Sequence, residues 1–292
     1  MPSPAASEQS WTVGTLLNWT ATFLAQKGCE SPRVDAEVLL AHALGCKRID
    51  LYGLLHAEPA LDEVRQRYRE LIRKRIEGCP VAYLVGRKEF FSLEFEVSSA
   101  VLIPRPDSEV AVMECIALAK PLAAACILDI GTGSGNLAVA IAKHHLGAHV
   151  TAVDISTDAL GVARRNAEKH GVAARITFLQ GDLFTPLQNS ERFDFIVSNP
   201  PYIPTSELPH LPIGVRQYEP HLALDGGQDG YGVFERLIAE APHFLNPGGW
   251  LIVEIGAPQE ETARQRLAAK GYQLAPTVHD YGGHPRVLKA RV

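Results

Sequence analysis

From residue 126 to its end the chain alternates short β-branched, apolar runs with stretches of helical spacing, and no other feature limits the fold so tightly. Strands are expected at Cys126–Ile130, Val150–Val153, Ile176–Leu179, Phe193–Ser198 and Trp250–Ile255. Helices are expected at Leu137–His145, Thr157–His170, Val233–Leu245 and Glu260–Lys270. Such alternation gives an α/β fold with a largely parallel sheet covered on both faces. Two last strands, Gln273–Val278 and Pro285–Ala290, flank the tight turn Asp280-Tyr281-Gly282-Gly283. They read as a hairpin that places one antiparallel strand in the sheet. Ligands of open α/β sheets bind at the carboxyl ends of the strands, so the residues there matter most.

The first strand runs into Asp129-Ile130-Gly131-Thr132-Gly133-Ser134-Gly135-Asn136. Its glycines allow a sharp turn and a close backbone approach to a ligand. A dinucleotide fingerprint needs glycine at its third spacing, and Asn136 stands there. Asp129 would repel a pyrophosphate, but it can order the loop and meet an ammonium group. Asp154 ends the next strand, placed to accept bonds from two ribose hydroxyls. At the third strand end, Asp182 can accept from an adenine amino group and Leu183 can pack on the ring. An amino acid joined to an adenosine satisfies all three, which points to S-adenosyl-L-methionine.

The fourth strand ends in Asn199-Pro200-Pro201-Tyr202. Proline lacks a donor, fixes φ and restricts the residue before it, so neither strand nor helix continues there. A stiff loop then holds an amide side chain and unpaired carbonyls at the ligand-binding edge. Rigid acceptors suit a substrate that presents an NH2 group. Taken alone, Pro-Pro is a strand-ending turn. The acidic strand ends beside it favour the functional reading.

Ahead of this region, helical spacing covers residues 11–27, Ser31-Pro32 to about Gly45, Arg48–Leu55 and Leu61–Glu77. Residues 1–85 therefore read as a small helical domain, with residues 1–10 disordered. Its late basic run, Arg65 to Arg75, is read as a solvated helix face. From Glu89 to Ile103 apolar residues alternate, giving a β-hairpin linker over 86–105, and residues 106–292 form the α/β domain. Ile103-Pro104-Arg105-Pro106-Asp107-Ser108-Glu109 is a second stiffened loop. There Asp107 is a plausible helix cap, and Arg105 and Glu109 are candidates to approach a ligand. Net charge is −5, so the whole molecule carries no general attraction for nucleic acid. Neither a signal peptide nor a membrane span is expected. The five scattered cysteines suit buried thiols in a reduced cytosol. No metal site is expected, and His144-His145 reads as a solvated helix end.

On these residues the sequence resembles the class I methyltransferases, and more closely the release-factor glutamine N5-methyltransferases of the PrmC/HemK family. The resemblance covers nearly the whole chain. It is carried by Arg33 to Leu40, Gly78 to Leu84, Glu89-Phe90-Phe91, Leu102 to Glu109, Asp129 to Gly135 and Asn199 to Tyr202. Glu219-Pro220, Asp225 to Gly230 and Asp280 to Arg286 complete it. Ile-Pro-Arg-Pro is the most discriminating element. Ser108 stands where the family often has Thr, and Leu183 where some members carry Trp. Gly226-Gly227-Gln228 echoes the target sequence of such enzymes and is read as coincidence, part of a glycine-rich turn.

The resemblance implies methylation of the glutamine amide in the Gly-Gly-Gln motif of class-1 peptide-chain release factors, in translation termination. The donor would be S-adenosyl-L-methionine and the product S-adenosyl-L-homocysteine. Asn199 Oδ1 and the Pro200 carbonyl would accept from the substrate NH2, with Pro201 stiffening the loop and Tyr202 packing the glutamine stem. Phe90, Arg105 and Glu109 would form pocket wall. Asn199 would also border the cofactor, held by Asp129, Gly131, Thr132, Gly133, Ser134, Gly135, Asp154, Asp182 and Leu183. The expected protein is a cytoplasmic monomer with no direct nucleic-acid substrate. The rivals are a nucleic-acid amino methyltransferase and a non-catalytic module that binds the same cofactor or docks on the ribosome.

Overall fold

Helical spacing governs the chain up to Gly86, and there the structure divides into two units, Met1–Gly86 and Arg87–Val292. This computed structural model describes residues 11–57 and 62–292. The expected disorder of residues 1–10 and the expected helix start at Leu61 lie outside the described residues.

The helical unit contains α1 (Val13–Gln26), α2 (Pro32–Leu44), a 3-10 turn (Arg48–Gly53), α3 (Asp62–Ile76) and α4 (Val81–Val85). Thr12 caps α1 by accepting from the Thr15 N–H at 3.2 Å. Pro32 opens α2 as expected, but the Ser31 side chain makes no cap bond. Leu17, Leu24, Leu39, Leu40, Tyr68 and Ile72 form its core. Charged residues of α2 face inward and are paired. Glu37 accepts from Arg33 at 2.7 Å, Arg48 at 2.8 Å and Tyr52 at 3.2 Å. Burial raises its pKa, and those bonds outweigh burial and hold it below the usual glutamate value. Asp35 accepts from Arg75 at 2.7 Å. Arg75 of the basic run is thus committed inward, while Arg67, Arg69, Arg73 and Lys74 remain exposed.

The second unit opens with the hairpin β1 (Arg87–Phe90) and β2 (Leu93–Glu96). Phe91 and Ser92 form its two-residue turn at φ 51 and 58, the left-handed pair that matches strand twist. The hairpin is shorter than the alternation implied. Val97, Val101 and Ile103 are buried in a loop, and the Ile103 N–H goes to Glu219 at 3.1 Å rather than to a ladder. Phe90 and Phe95 belong to the core of this unit.

There follow α5 (Glu109–Ala119), β3 (Ala125–Ile130), α6 (Asn136–His144), β4 (Ala148–Asp154), α7 (Thr157–Lys169), β5 (Ile176–Gln180) and β6 (Phe193–Ser198). Then come α8 (Ile213–Tyr218), α9 (Gly232–Glu240), β7 (Leu245–Glu254), α10 (Glu260–Ala269), β8 (Gln273–Leu274), β9 (Val278–His279) and β10 (Pro285–Arg291). The sheet order is β5-β4-β3-β6-β7-β10-β8, with β9 also on β10. Strands β5 to β7 pair in parallel, and β10 runs antiparallel to β7, β8 and β9. The expected antiparallel insertion is present, but its first arm is broken into two short strands. One face of the sheet packs on α5, α6 and α7, the other on α9 and α10.

Several local expectations need correction. Asp107 caps no helix: Pro106–Ser108 is a 3-10 turn without a side-chain cap, and Asp107 pairs with Arg286 at 3.0 Å. Helix α9 stops at Glu240 because Pro242 lies just beyond, and β7 begins at Leu245, ahead of Trp250. Of the cysteines only Cys115 is buried, and Cys126 is exposed.

Candidate active site

The strand order reverses between β3 and β6, the point where open α/β sheets bind ligands. Ile130 stands beside Val153 on one side and Ser198 on the other. The loops after β3, β4 and β6 therefore leave the sheet at one level. Ser198, fully buried, donates its hydroxyl to the Ile130 carbonyl at 2.8 Å. A cavity of about 340 Å3 opens there, lined by the 131–134 loop, Asp154, Asp182, Leu183 and Asn199-Pro200-Pro201.

Gly131, Gly133 and Gly135 all adopt positive φ. At Gly135 the need is double, since φ is +78° and a Cβ would lie 3.0 Å from the Ala163 Cβ of α7. Asp129 is wholly buried beneath the loop. Its Oδ2 accepts from the Thr132 hydroxyl at 2.6 Å and the Ala138 N–H at 3.2 Å, while Oδ1 has no hydrogen-bond partner among the described residues. Burial pushes its pKa up to about 7, against those two hydrogen bonds, and Asp154 adds to the rise. The loop-ordering role expected of Asp129 is therefore visible, whereas its side chain does not line the cavity.

Asp154 accepts from the Gly133 N–H at 2.8 Å and the Ser156 N–H at 2.9 Å, one on each oxygen. Burial raises its pKa against these bonds. Ser156 also caps α7 through the Ala159 N–H at 3.1 Å. Asp182 is paired with Arg236 of α9 at 2.7 Å, and both line the cavity. Leu183 is buried at φ 52.

The Asn199 amide donates from Nδ2 to the Ser108 hydroxyl at 3.1 Å. No hydrogen bond from the described residues occupies its Oδ1. Around this loop, the Ile203 N–H meets the Leu224 carbonyl at 3.0 Å and the Gly226 N–H meets the Ile203 carbonyl at 2.8 Å. Gln259 Nε2 donates to the Tyr202 carbonyl at 3.0 Å and the Gly230 carbonyl at 3.3 Å. A Cβ on Gly230 would lie 2.6 Å from the Tyr202 carbonyl. The Gly226–Gly230 turn is thus a structural brace of the Asn199 loop.

Of the other expected wall residues, only Arg105 lines the cavity. Its guanidinium is anchored on Glu219, whose carboxylate is 2% exposed. Phe90 lies in the core, Glu109 accepts from the Phe91 N–H at 2.8 Å, and Tyr202 supports the loop from outside the cavity. Ser108, Glu219 and Arg236 escaped sequence reasoning as site residues. Ser108 carried a signal through its place in the Ile103 to Glu109 loop, and Glu219 through the Glu219-Pro220 pair; Arg236 carried none.

The reversed sheet order, the glycine loop and carboxylates ending three successive strands define a class I methyltransferase. Residues 15–86 match the family described as PrmC N-terminal domain, and residues 123–276 the one described as methyltransferase domain. The release factor glutamine methyltransferases of Rhodopirellula baltica and Geobacter sulfurreducens are 46% and 45% identical to it, over 97% of both chains in each case. That of Moorella thermoacetica is 44% identical over 91% of this chain and 94% of its own. The chain belongs to the release factor glutamine methyltransferase family. A solved methyltransferase from Pyrococcus furiosus shares the fold at 21% identity, with a TM-score of 0.50 over 68% of this chain and 89% of that one.

Proposed function

We propose that this protein methylates N5 of the glutamine in the Gly-Gly-Gln motif of class-1 peptide-chain release factors, with S-adenosyl-L-methionine as donor. The observation that carries the reading is the Asn199 amide. Its NH2 is engaged by Ser108, which leaves Oδ1 as an acceptor at the cavity. A substrate NH2 needs such an acceptor, whereas a substrate carbonyl would be repelled by it.

The donor set suits the cofactor. Asp154, fixed by two backbone N–H groups, has lone pairs left for two ribose hydroxyls. Asp182 accepts from the adenine amino group and Leu183 packs on the ring. The glycine loop takes the amino-acid end, above the negative Asp129. S-adenosyl-L-methionine supplies an electrophilic sulfonium methyl and leaves as S-adenosyl-L-homocysteine.

An amide nitrogen is a poor nucleophile, so the chain's main task is alignment. Asn199 Oδ1 and the Pro200 carbonyl accept the two amide hydrogens and aim the nitrogen lone pair at the methyl carbon. The same two oxygens stabilise the positive charge that grows on nitrogen. Pro201 keeps them rigid. Once alkylated, the nitrogen loses its proton readily to solvent, and no side chain need be a strong base.

The helical domain, residues 1–85, docks the release factor, while 106–292 carries the methyltransferase site and 86–105 connects them. The enzyme acts as a monomer in the cytoplasm and takes no nucleic acid directly, in keeping with its net charge of −5. Among the described residues no helix is long and apolar enough to cross a membrane. The test is transfer of labelled methyl to a purified class-1 release factor, with a Gln→Ala copy of its Gly-Gly-Gln motif as control. Label on the first alone supports the reading. No label on either, with the cofactor still bound, overturns it.

A further inference from the structure

Asn166 of α7 is fully buried and does not line the cavity. Its amide meets three backbone groups, one N–H and two carbonyls. Oδ1 accepts from the Glu96 N–H at 2.7 Å. Nδ2 donates to the Glu96 carbonyl at 3.0 Å and to the Ser134 carbonyl at 2.9 Å. These partners dictate the orientation of the amide. Turned over, it would set its NH2 against an N–H and its oxygen against two carbonyls. A polar side chain is costly to bury unless its donors and acceptors are met. Here main-chain groups from two distant segments meet both hydrogens and the oxygen.

The two segments have different tasks. Glu96 is the last residue of β2. Asn166 takes both its N–H and its carbonyl, as a neighbouring strand would. From there the chain runs into residues 100–108, from which Leu102, Arg105 and Ser108 line the cavity. Ser108 in turn holds the Asn199 amide. Ser134 belongs to the glycine loop and lines the cavity as well. The peptide group after it is pinned at both ends, its carbonyl by Asn166 and the Gly135 N–H by the Thr132 carbonyl at 2.8 Å. One buried side chain therefore grips the loop proposed for the cofactor and the start of the wall that meets the substrate acceptor. A second link joins β2 to α7 at the surface, where Arg165 pairs with Glu96 at 2.7 Å and both side chains are exposed.

We propose that Asn166 is a positioning residue for methyl transfer, which keeps the glycine loop and the 100–108 wall in register so that methyl donor and Asn199 acceptor stay at their working separation. The inference rests on the function proposed above. Asn166 touches no reacting atom and acts through the main chain of Ser134 and Glu96. Ordering either segment restrains the other, because both hang on the same amide. The surface pair of Arg165 and Glu96 holds the hairpin to α7 but makes no bond to the glycine loop, so it does not set this register.

The test follows single-turnover methyl transfer to a release factor in the full chain, with the rate divided by the number of sites that bind S-adenosyl-L-methionine. That division removes any loss of folded protein. Asn166→Asp keeps an acceptor for the Glu96 N–H and loses both donors. Its rate per site should be roughly 10- to 100-fold lower, the effect of a small misplacement passed on to the reacting groups. The release-factor concentration giving half the maximal rate should stay within about threefold. Arg165→Ala, which cuts the surface link alone, should transfer within about twofold of the parent. An Asn166→Asp rate per site within about twofold of the parent, or an Arg165→Ala as slow as Asn166→Asp, overturns the proposal. Should Asn166→Asp fail to fold, the unaltered protein decides. Bound S-adenosyl-L-homocysteine should slow hydrogen exchange at the Glu96 amide by about threefold or more, and at the Phe91 amide of the same hairpin by less than about twofold. No slowing at Glu96, or equal slowing at both, overturns the proposal. A parent that binds cofactor but transfers no methyl overturns the underlying function, and amide exchange then decides whether Asn166 joins the two segments.

Discussion

Ser198 donates its hydroxyl to the Ile130 carbonyl at 2.8 Å, inside the sheet, one residue before Asn199 and one before Gly131. The strand that leads into the Asn199 loop and the strand that leads into the glycine loop are fastened where both leave the sheet. The spacing between the loop after β3 and the loop after β6 is therefore set by a buried hydrogen bond inside the sheet.

Ser198→Ala should cost about 1–2 kcal/mol of stability, because it removes a fully buried hydrogen bond and leaves the carbonyl short of a partner. Urea unfolding measures this. Transfer rate should fall more than cofactor affinity, since the loop after β6 is displaced relative to the loop after β3.

Asn199→Ala should lower the transfer rate by roughly two to three orders of magnitude, the usual loss when one preorganised partner of a developing charge is removed. Cofactor Kd should change by less than about threefold, because the remaining cofactor groups stay in place. Equal losses in both quantities would contradict the substrate role given to Asn199.

Gly135→Ala and Gly171→Ala form a matched pair. Both positions have positive φ, +78° and +71°, but only at Gly135 would a Cβ meet a neighbour, Ala163. The strained backbone should cost about 1–2 kcal/mol at either site. Gly135→Ala should lose a further ~1 kcal/mol or more from overpacking, and with it cofactor affinity. Thermal unfolding with and without cofactor separates the two.

Arg105→Ala leaves the Glu219 carboxylate buried with the Ile103 N–H as its one hydrogen-bond donor among the described residues. Breaking a buried pair costs about 3–5 kcal/mol, and the partial exposure of Arg105 places the expectation near 3. The double variant Arg105→Ala/Glu219→Gln should recover at least half, since no unpaired charge remains. Chemical denaturation of the three proteins is the measurement.

Cofactor affinity should rise with pH through about 7. Burial holds the Asp129 carboxyl partly protonated near that pH in the free protein. A cationic ligand above the loop favours the ionised form, so binding expels a proton and is weaker below about pH 7 than above it. Calorimetry in buffers of different ionisation enthalpy detects that proton. Asp154, also raised, contributes in the same direction. Asp129→Asn should flatten the profile at the price of some affinity.

The sheet was legible in the sequence because buried parallel strands are short apolar runs bounded by turn residues, and β3 to β6 lie within a few residues of their expected limits. The glycine loop, Asp154 and the Asn199 loop were legible because each sits at a strand end, where an apolar run stops. What escaped depends on long-range contacts. Glu109 looked like a residue that approaches a ligand, yet it receives the Phe91 N–H from the hairpin. Asp107 looked like a cap, yet Arg286 of the last strand claims it. Ser108 meets Asn199 from 91 residues away, and Arg105 meets Glu219 from 114. Periodicity carries no trace of such pairs.

Gln259, in the turn after β7, donates to two carbonyls, one in the Asn199 loop and one in the turn that braces it. A loop held by these bonds should have no slow closing step of its own. The Ile203 and Gly226 amides should exchange with solvent only when the sheet itself opens. Turnover would then keep time with the arrival and departure of the release factor, not with any motion of the site that awaits it.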